Sequence, residues 1–294
     1  ADASEHQVWW AMRINRFLVV VAGLAGLIAV ATAIRAQDNV TVTMHGFQDS
    51  RGVTVLSPLI TLDRDFTDRT GLRVRFGVDA VSAASDSCAR CHEEGARNGR
   101  VFLSASAIRT LGKTKVSLGA EVSRENFYAA DSVMGSVTRE FNNANTSVTA
   151  GYSLSFNRPG LHPLEESESQ HAHDVYGSLT QTLTRRTIVQ LAYNFNRVSG
   201  FQSTPFLRTP LNGQLTVGVT PDQRDRQAFT ARIRQALPAD TFVEADYRHY
   251  RDDWSLRSNS LGLGLSHNIG RRVLAAFNYR WYDQTGTFFS RPSY

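Results

Sequence analysis

The pentapeptide at residues 88–92 contains the residue types whose order could carry chemistry. Cys88 and Cys91 stand three positions apart with His92 directly after the second, and the chain has only these two cysteines. In a Cys-x-x-Cys-His order, the two thiols form thioethers with the haem vinyl groups while the adjacent imidazole binds the iron. The spacing therefore predicts a single covalently attached c-type haem, with His92 as an axial ligand of the iron.

Two other interpretations of Cys88, Cys91 and His92 stay open. Two cysteines in an exported loop also form disulfides, and a Cys88–Cys91 bond would tighten a short turn without any haem. The two thiols and His92 would also suit a soft metal ion, although three ligands leave Zn²⁺ without its usual fourth.

Three histidines are candidates for the distal ligand of a haem iron. His162, His171 and His173 lie in a segment, residues 157–173, that the sequence predicts to be a polar loop on the same side as the cysteine motif. His171 and His173 alternate, so they would also form a metal-binding pair on one strand face. The competing interpretation is that these histidines are solvated, because several glutamates surround them.

The N-terminal segment predicts export from the cytoplasm. Arg13 and Arg16 precede an apolar run at residues 17–34 that ends in small residues. This order is typical of a signal peptide, here residues 12–36, and a membrane-anchoring helix is the alternative. Residues 1–11 precede Met12 and are interpreted as upstream translation or an expression scar.

After residue 37 the dominant pattern is an alternation of apolar and polar residues, which is typical of β-strands. The clearest apolar series are Leu72, Val74, Phe76, Val78 and Ala80; Val116, Leu118, Ala120 and Val122; Val148, Ala150, Tyr152, Leu154 and Phe156; and Val273, Ala275, Phe277, Tyr279 and Trp281. The runs are about ten residues long, the length of a tilted strand that crosses a membrane. The sequence therefore predicts an all-β, antiparallel transmembrane β-barrel over residues 37–294.

Aromatic residues near the ends of these runs predict girdles at the two membrane interfaces. They are Phe156, Phe195, Tyr247, Tyr250, Trp254, Trp281 and Tyr282.

The connections between the runs alternate in length. Short turns are predicted near residues 68–71, 111–114, 142–145, 184–187, 237–240 and 267–272, and long loops near residues 81–100, 126–134, 157–172 and 198–226. Outer-membrane barrels place short turns in the periplasm and long loops outside the cell, so loop 81–100 with the cysteine motif would be extracellular. About thirteen strands are visible, and bacterial barrels have an even number, so we predict about fourteen strands and a truncated C-terminus.

Ten charged residues occupy the polar positions of the predicted strands, and we expect them to line the lumen. They are Arg73, Arg75, Asp79, Glu121, Arg232, Arg234, Glu244, Asp246, Arg248 and Arg280. A charge that faced lipid near the midplane would cost several kcal/mol, so these side chains must face water or one another. Their mixed signs argue against strong ion selectivity.

Several stretches resemble a family of bacterial outer-membrane β-barrels known only as a domain of unknown function. The stretches are Gln48-Asp49-Ser50-Arg51, Val55-Leu56-Ser57-Pro58, residues 78–85, Gly200-Phe201-Gln202-Ser203, residues 247–254 and Tyr279-Arg280-Trp281-Tyr282-Asp283-Gln284. The resemblance spans about residues 45 to 294 and implies the fold and a location in the bacterial outer membrane, but no settled activity. The cysteine motif is not a general feature of that family.

These observations predict a channel or transport barrel, or a barrel that acts as a scaffold for partners, with the haem serving electron exchange. The alternative is a plain porin-like or structural barrel in which Cys88 and Cys91 form a disulfide. The expected partners are outer-membrane lipid, the barrel-assembly machinery and redox partner cytochromes. A net charge of +5 spread along the chain gives no basic patch for nucleic acid. No Gly-x-Ser-x-Gly, phosphate-loop or His-Glu-x-x-His motif occurs, so we expect no enzymatic activity.

Overall fold

The structure is a computed structural model that describes residues 38–48, 54–81, 98–125, 128–159, 168–203, 208–211, 214–217, 220–270 and 273–289. Residues 1–11 and the predicted signal peptide at residues 12–36 lie outside these ranges. The strands, in chain order, are β1 (Asn39–Gln48), β2 (Thr54–Thr67), β3 (Thr70–Val81), β4 (Asn98–Leu111), β5 (Thr114–Glu125), β6 (Tyr128–Phe141), β7 (Thr146–Pro159), β8 (Gln170–Thr184), β9 (Thr187–Gly200), β10 (Arg208–Leu211), β11 (Gln214–Val217), β12 (Gln223–Leu237), β13 (Thr241–Asp252), β14 (Arg257–Ile269) and β15 (Val273–Gln284). In the described part of the chain, no helix is long and apolar enough to span a membrane.

Thirteen of these strands form one antiparallel sheet in which the order in space follows the order in the chain. β10 and β11 are the exception, because they pair only with each other as a small hairpin in the connection between β9 and β12. The strands of the large sheet are 10 to 15 residues long, which is enough for a tilted membrane crossing. The predicted all-β antiparallel fold with about thirteen visible strands is confirmed.

The two edge strands of the sheet are β1 and β15. Within the described ranges, β1 pairs only with β2, and β15 pairs only with β14. Neighbouring strands reverse direction, so the first and thirteenth strands run the same way, whereas an antiparallel ring needs an even number of strands. A fourteenth strand and a truncated C-terminus stay predictions.

Short turns join the strands at one end of the sheet, hereafter the turn end. β4 and β5 are joined by two residues, with Gly112 at a φ of 60°, and β6 and β7 by four residues, with Asn142 at 50° and Asn143 at 54°. Positive φ angles suit glycine and asparagine, which explains the residue types in these tight turns. The predicted short turns are confirmed at this end.

The opposite end, hereafter the loop end, differs from the prediction in three connections. In the predicted loop 198–226, β9 continues to Gly200, β12 starts at Gln223, and the hairpin of β10 and β11 lies between them. The expected loop at 126–134 is wrong, because β6 starts at Tyr128 and leaves only two residues after β5. The expected loop at 157–172 is shorter than predicted, since β7 continues to Pro159 and β8 starts at Gln170. Polar residues near a strand end look like loop residues in sequence, although here they belong to the paired ladder.

The cross-strand register divides the side chains of the sheet into two faces. The apolar face contains the alternating series from Val148 to Phe156 on β7 and from Val273 to Trp281 on β15, and the polar face contains the residues between them. Large hydrophobic side chains of the apolar face are widely exposed, for example Leu118 at 66% and Phe277 at 66%. In the described residues, the buried hydrophobic side chains are limited to Leu62, Val198, Ala228 and Trp254. A soluble sandwich would bury this face in a core, so the face is one that contacts lipid.

Three of the predicted girdle aromatics are in other places. Tyr250 and Tyr282 lie on the polar face, opposite Ser258 and Ser260 of β14. Trp254 lies in the turn after β13 and is only 6% exposed. An aromatic residue near a strand end therefore did not by itself indicate the lipid-facing side.

The two faces can be distinguished by placing the same charge on adjacent residues of β6. Val133 lies on the apolar face with 52% of its side chain exposed, and Met134 lies on the polar face. We expect Val133→Arg to lower the free energy of unfolding in lipid vesicles by about 2–4 kcal/mol, because the charge would face hydrocarbon. We expect Met134→Arg to cost much less. Equal losses in urea titrations of the two variants would refute the assignment of the faces.

Candidate functional site

A cleft on the polar face crosses β8, β9, β12 and β13 toward the loop end of the sheet. Its volume is about 440 Å³, and its lining residues are Asp174, Asn194, Asn196, Arg224, Arg226, Arg248 and Tyr250. The register brings these residues together, because Arg226 is directly opposite Asn196 on one neighbouring strand and Asp252 on the other. We call this group the arginine cleft.

Arg224 is held in place at one side of the arginine cleft by Asp252, whose side chain is 0% exposed. The guanidinium Nε of Arg224 donates to Oδ2 of Asp252 at 2.9 Å, and Nη2 donates to the same oxygen. The Tyr250 hydroxyl donates to that oxygen at 2.9 Å, and the backbone N–H of Leu256 donates to Oδ1 at 2.9 Å. The charge of Asp252 is therefore already balanced by Arg224.

Trp254 covers the other side of the Arg224 side chain. The Arg224 guanidinium carbon lies 4.2 Å from the centre of the Trp254 ring, a distance at which a cation is attracted by the aromatic face. The indole N–H of Trp254 donates to the backbone oxygen of Gln223 at 2.8 Å, which fixes the ring over the start of β12. Arg224 thus serves as a rigid wall of the cleft.

Asp174 supplies the negative charge of the arginine cleft. Its Oδ1 accepts from the Asn194 amide at 2.9 Å and its Oδ2 accepts from the Asn196 amide at 3.5 Å. The donors of both asparagines are therefore directed toward Asp174. As a result, the Oδ1 acceptor of Asn196 is buried without a hydrogen-bond partner.

Arg226 and Arg248 are the two cations of the arginine cleft that form no ion pair with a carboxylate within the described residues, and Asp174, which accepts only from neutral amides, offsets one of their two charges. The Nε of Arg226 is buried without a hydrogen-bond partner. Arg248 lies with its guanidinium carbon 6.0 Å from the centre of the Tyr250 ring. A buried polar donor without a partner is costly, and a cation with no counterion more so. The cleft therefore has unsatisfied donors for a negatively charged group.

A second charged cluster lies on the polar face of β3, β4 and β5, centred on Arg100. Its guanidinium nitrogens lie 3.7 Å from Asp79, 3.5 Å from Glu121 and 3.9 Å from Glu125. The guanidinium carbon of Arg100 also lies 4.9 Å from the centre of the Phe102 ring. We call this group the acidic cluster, because three carboxylates share one arginine.

The register places all ten of the predicted lumen-lining residues on the polar face: Arg73, Arg75, Asp79, Glu121, Arg232, Arg234, Glu244, Asp246, Arg248 and Arg280. They do not form one site. Asp79 and Glu121 belong to the acidic cluster and Arg248 to the arginine cleft, whereas Arg232 lies 3.5 Å from Glu244 across β12 and β13.

The predicted haem residues lie mostly outside the described residues. Cys88, Cys91, His92 and His162 are in this group. His171 and His173 lie in β8 and not in a loop, on the apolar face, where the Nδ1 of His173 is 2.7 Å from the Tyr152 hydroxyl. The His171 ring packs edge-on against Phe156 with the ring centres 5.5 Å apart. Among the described residues, no group of three or more histidines, cysteines or carboxylates could hold a metal ion.

Of the residues of the arginine cleft, Arg248 was predicted to line the lumen and Tyr250 to belong to an aromatic girdle. Arg224 and Arg226 fell within the predicted loop 198–226. Arg224 and Arg226 alternate on β12 as Arg248 and Tyr250 do on β13, so their shared face was available from the period of two. The sequence pattern could not show that these two arginines lie near Asn196 and Asp174. That proximity depends on the register between β9 and β12, which a connection of 22 residues, residues 201–222, separates.

The apolar exposed face and the charged polar face of the thirteen-stranded sheet define an outer-membrane β-barrel protein, and the predicted location is confirmed. The chain belongs to the family described as Protein of unknown function (DUF3570), whose model matches residues 89–167 and 160–294. The resemblance seen in the sequence is thus confirmed, although the stretches before residue 89 lie outside the match. Among curated proteins, none matches the chain.

Several solved structures of outer-membrane proteins are similar to this chain at low sequence identity. OmpTdeltaL8 is a loop L8 deletion mutant of OmpT, an outer membrane protein of Vibrio cholerae. Its structure has a TM-score of 0.49 and 9% identity over 85% of this chain and 95% of its own. The ferric-catecholate import receptor Fiu from E. coli K12 has a TM-score of 0.48 and 10% identity over 86% and 56%. The siderophore receptor PirA from Pseudomonas aeruginosa has a TM-score of 0.43 and 12% identity over 80% of this chain. The chain spans only 42% of the length of PirA.

The buried Arg224–Asp252 pair should contribute far more to stability than an exposed pair beside it. We expect Asp252→Ala to lower the free energy of unfolding by about 3–5 kcal/mol, because it leaves the charged Arg224, whose side chain is only 17% exposed, without its partner. Asp225→Ala removes the carboxylate of the exposed Arg197–Asp225 pair. This pair lies on the apolar face but only two residues from the loop end of β12, where we expect it to meet water, so we expect a much smaller change. Urea unfolding in lipid vesicles measures the free energy of both variants. Similar decreases would show that the Arg224–Asp252 pair contributes no more to stability than the exposed pair.

Proposed function

We propose that the protein is an outer-membrane channel whose polar face lines an aqueous pathway for small polar solutes. The observation that carries this proposal is the contrast between the two faces of one sheet. Arginine, aspartate and glutamate occupy the polar face on β3, β4, β5, β12 and β13, while the other face exposes large apolar side chains. One face of these strands contacts lipid. The charged side chains on the opposite face therefore require water there.

The distribution of charge supports passage of polar solutes without strong selection for one sign. The acidic cluster on β3 to β5 and the arginine cleft on β8 to β13 carry opposite excess charge. β12 is the sixth strand along the sheet from β4. In a barrel of this size, the two groups would lie on different walls of the pathway.

The remaining roles follow from the location. The apolar face would contact outer-membrane lipid, and a chain of this type reaches the membrane through the barrel-assembly machinery. The proposal assigns no enzymatic activity to the chain. A scaffold barrel that holds partner proteins on its loops is the alternative if the lumen does not conduct.

Conductance should depend on charges of the polar face and not on charges of the apolar face. In planar bilayers we expect the purified protein to give stepwise conductance. Replacing Asp79 and Glu121 together, as Asp79→Asn with Glu121→Gln, should shift the reversal potential in a KCl gradient toward chloride, because the pathway loses two negative charges.

Asp131→Asn is the matched control for this experiment. Asp131 lies on the apolar face near the loop end, where it pairs with Arg124 at 2.6 Å and Arg158 at 2.8 Å. We expect its replacement to leave the reversal potential unchanged. Absence of conductance steps from the wild-type protein would exclude the channel and favour the scaffold.

A second function, electron exchange through one c-type haem, is proposed from the cysteine motif alone. Cys88 and Cys91 would attach the haem, and His92 would bind its iron, in the connection between β3 and β4. A bound haem would supply one-electron redox chemistry, and redox partner cytochromes would be its partners. His171 and His173 lie on the apolar face of β8, where they contact Phe156 and Tyr152, so the proposal assigns neither of them to the haem iron.

Haem attachment can be tested in a host that matures c-type cytochromes. We expect the wild-type protein to show a Soret band and peroxidase staining on a denaturing gel, and the Cys88→Ala, Cys91→Ala double variant to show neither. Colourless wild-type protein would exclude the haem. Thiols that react with a maleimide only after reduction would then assign the pair to a disulfide.

A further inference from the structure

We propose that the arginine cleft is a binding site for small hydroxycarboxylates, in which Arg226 and Arg248 bind the carboxylate. This inference rests on the proposed channel only for its biological role, because the site itself is a feature of the polar face. It names the class of solute that the pathway would capture.

The arginine cleft carries an excess of one positive charge, because Arg224, Arg226 and Arg248 face only two carboxylates, those of Asp174 and Asp252. Asp252 is bound to Arg224 and Tyr250, and Asp174 accepts from the two asparagine amides. In the part of the chain that the structure describes, this leaves Arg226 and Arg248 without a carboxylate within ion-pair distance. Because arginine binds a carboxylate with two parallel hydrogen bonds, an organic acid suits these two residues better than a spherical ion does.

The free hydrogen-bond acceptors of the cleft favour a ligand that also has a hydroxyl group to donate. The Oδ1 of Asn196 is buried and accepts no hydrogen bond, and the carboxylate oxygens of Asp174 each have a further lone pair. A hydroxyl group next to the carboxylate would donate to one of these oxygens while Arg226 binds the acid. A neutral sugar would lack the anionic group, and a simple anion would lack the donor.

The size and position of the cleft fit a site where a solute is captured. A volume of about 440 Å³ lies within the range of small-molecule sites. Arg226 is the fourth residue of β12, so it lies about 10 Å from the loop end at the usual rise per residue. The loop end of outer-membrane barrels faces the outside of the cell, so the site would meet solutes as they enter.

Binding is tested by calorimetric titration of gluconate into the full-length protein in detergent at low salt. We expect saturable binding by the wild type, and affinity about tenfold weaker for Arg226→Gln and for Arg248→Gln, since each removes a charged hydrogen-bond donor. Glucose should not bind, and chloride should bind more weakly than gluconate. Arg248 is exposed, so its replacement carries little risk to folding.

Arg251→Gln is the matched control variant. Arg251 lies between Tyr250 and Asp252 in sequence but on the apolar face, where it donates to Gln227. We expect this variant to bind gluconate as the wild type does. Equal weakening by Arg251→Gln, equal binding of glucose, or no saturable heat with gluconate would each overturn the proposal.

Conductance recordings on the same preparations separate this proposal from the channel. A protein that conducts but does not bind gluconate would retain the proposed function and lose the binding site. A protein that binds gluconate through Arg226 and Arg248 but does not conduct would retain the site and lose the channel.

Discussion

The structure depends on the need to pair every backbone N–H and C=O group of a chain in contact with lipid. Hydrocarbon offers these groups no hydrogen bonds, so each strand must be paired by its neighbours along its whole length. The ladder between β6 and β7 meets this need from Tyr128 paired with Pro159 to Phe141 paired with Thr146 without a break. The other ladders have similar lengths. Register shifts lie near the turns after β2 and β8, and the β2–β3 ladder is interrupted at Ser57 and Pro58, since proline has no N–H to donate. Length, direction and order of the strands all follow from this requirement.

The same ladders fix the environment of each side chain, because successive residues of a strand point to opposite faces. Hydrophobic residues therefore do not build an interior core in this sheet, and large apolar side chains are exposed on one face. Many charged residues of the strands lie on the other face, where they can reach partners one strand away, and charges of the apolar face such as Asp131 and Arg251 lie near strand ends. The Arg100 and Arg224 side chains show the result, since each binds carboxylates of neighbouring strands. Ion pairs and hydrogen bonds, and not hydrophobic packing, therefore hold the side chains of the polar face in place.

On the polar face, an arginine that has a carboxylate partner stabilises the structure, and an arginine without one is available to bind a solute. Arg224 has a buried counterion, two further donors on that counterion and an aromatic ring over its guanidinium, and it is rigid. Arg226, only two residues away on the same face, has none of these partners in the described residues. The difference arises because β13 contributes one buried carboxylate near these two arginines, that of Asp252, and it forms its ion pair with Arg224. The neighbouring cation is left with hydrogen-bonding capacity for a solute.

The sequence was sufficient to predict the class of fold, the faces of the strands and the turns of one end. These are local properties, because a period of two and a short turn are encoded within about a dozen residues. It was less successful near the loop end, where polar residues such as His171 and His173 were assigned to a loop although they belong to β8. Which polar residues contact one another depends on how the strands are assembled in the sheet. The arginine cleft joins four strands across a connection of 22 residues, residues 201–222, and its partners follow from strand register, which no single segment contains.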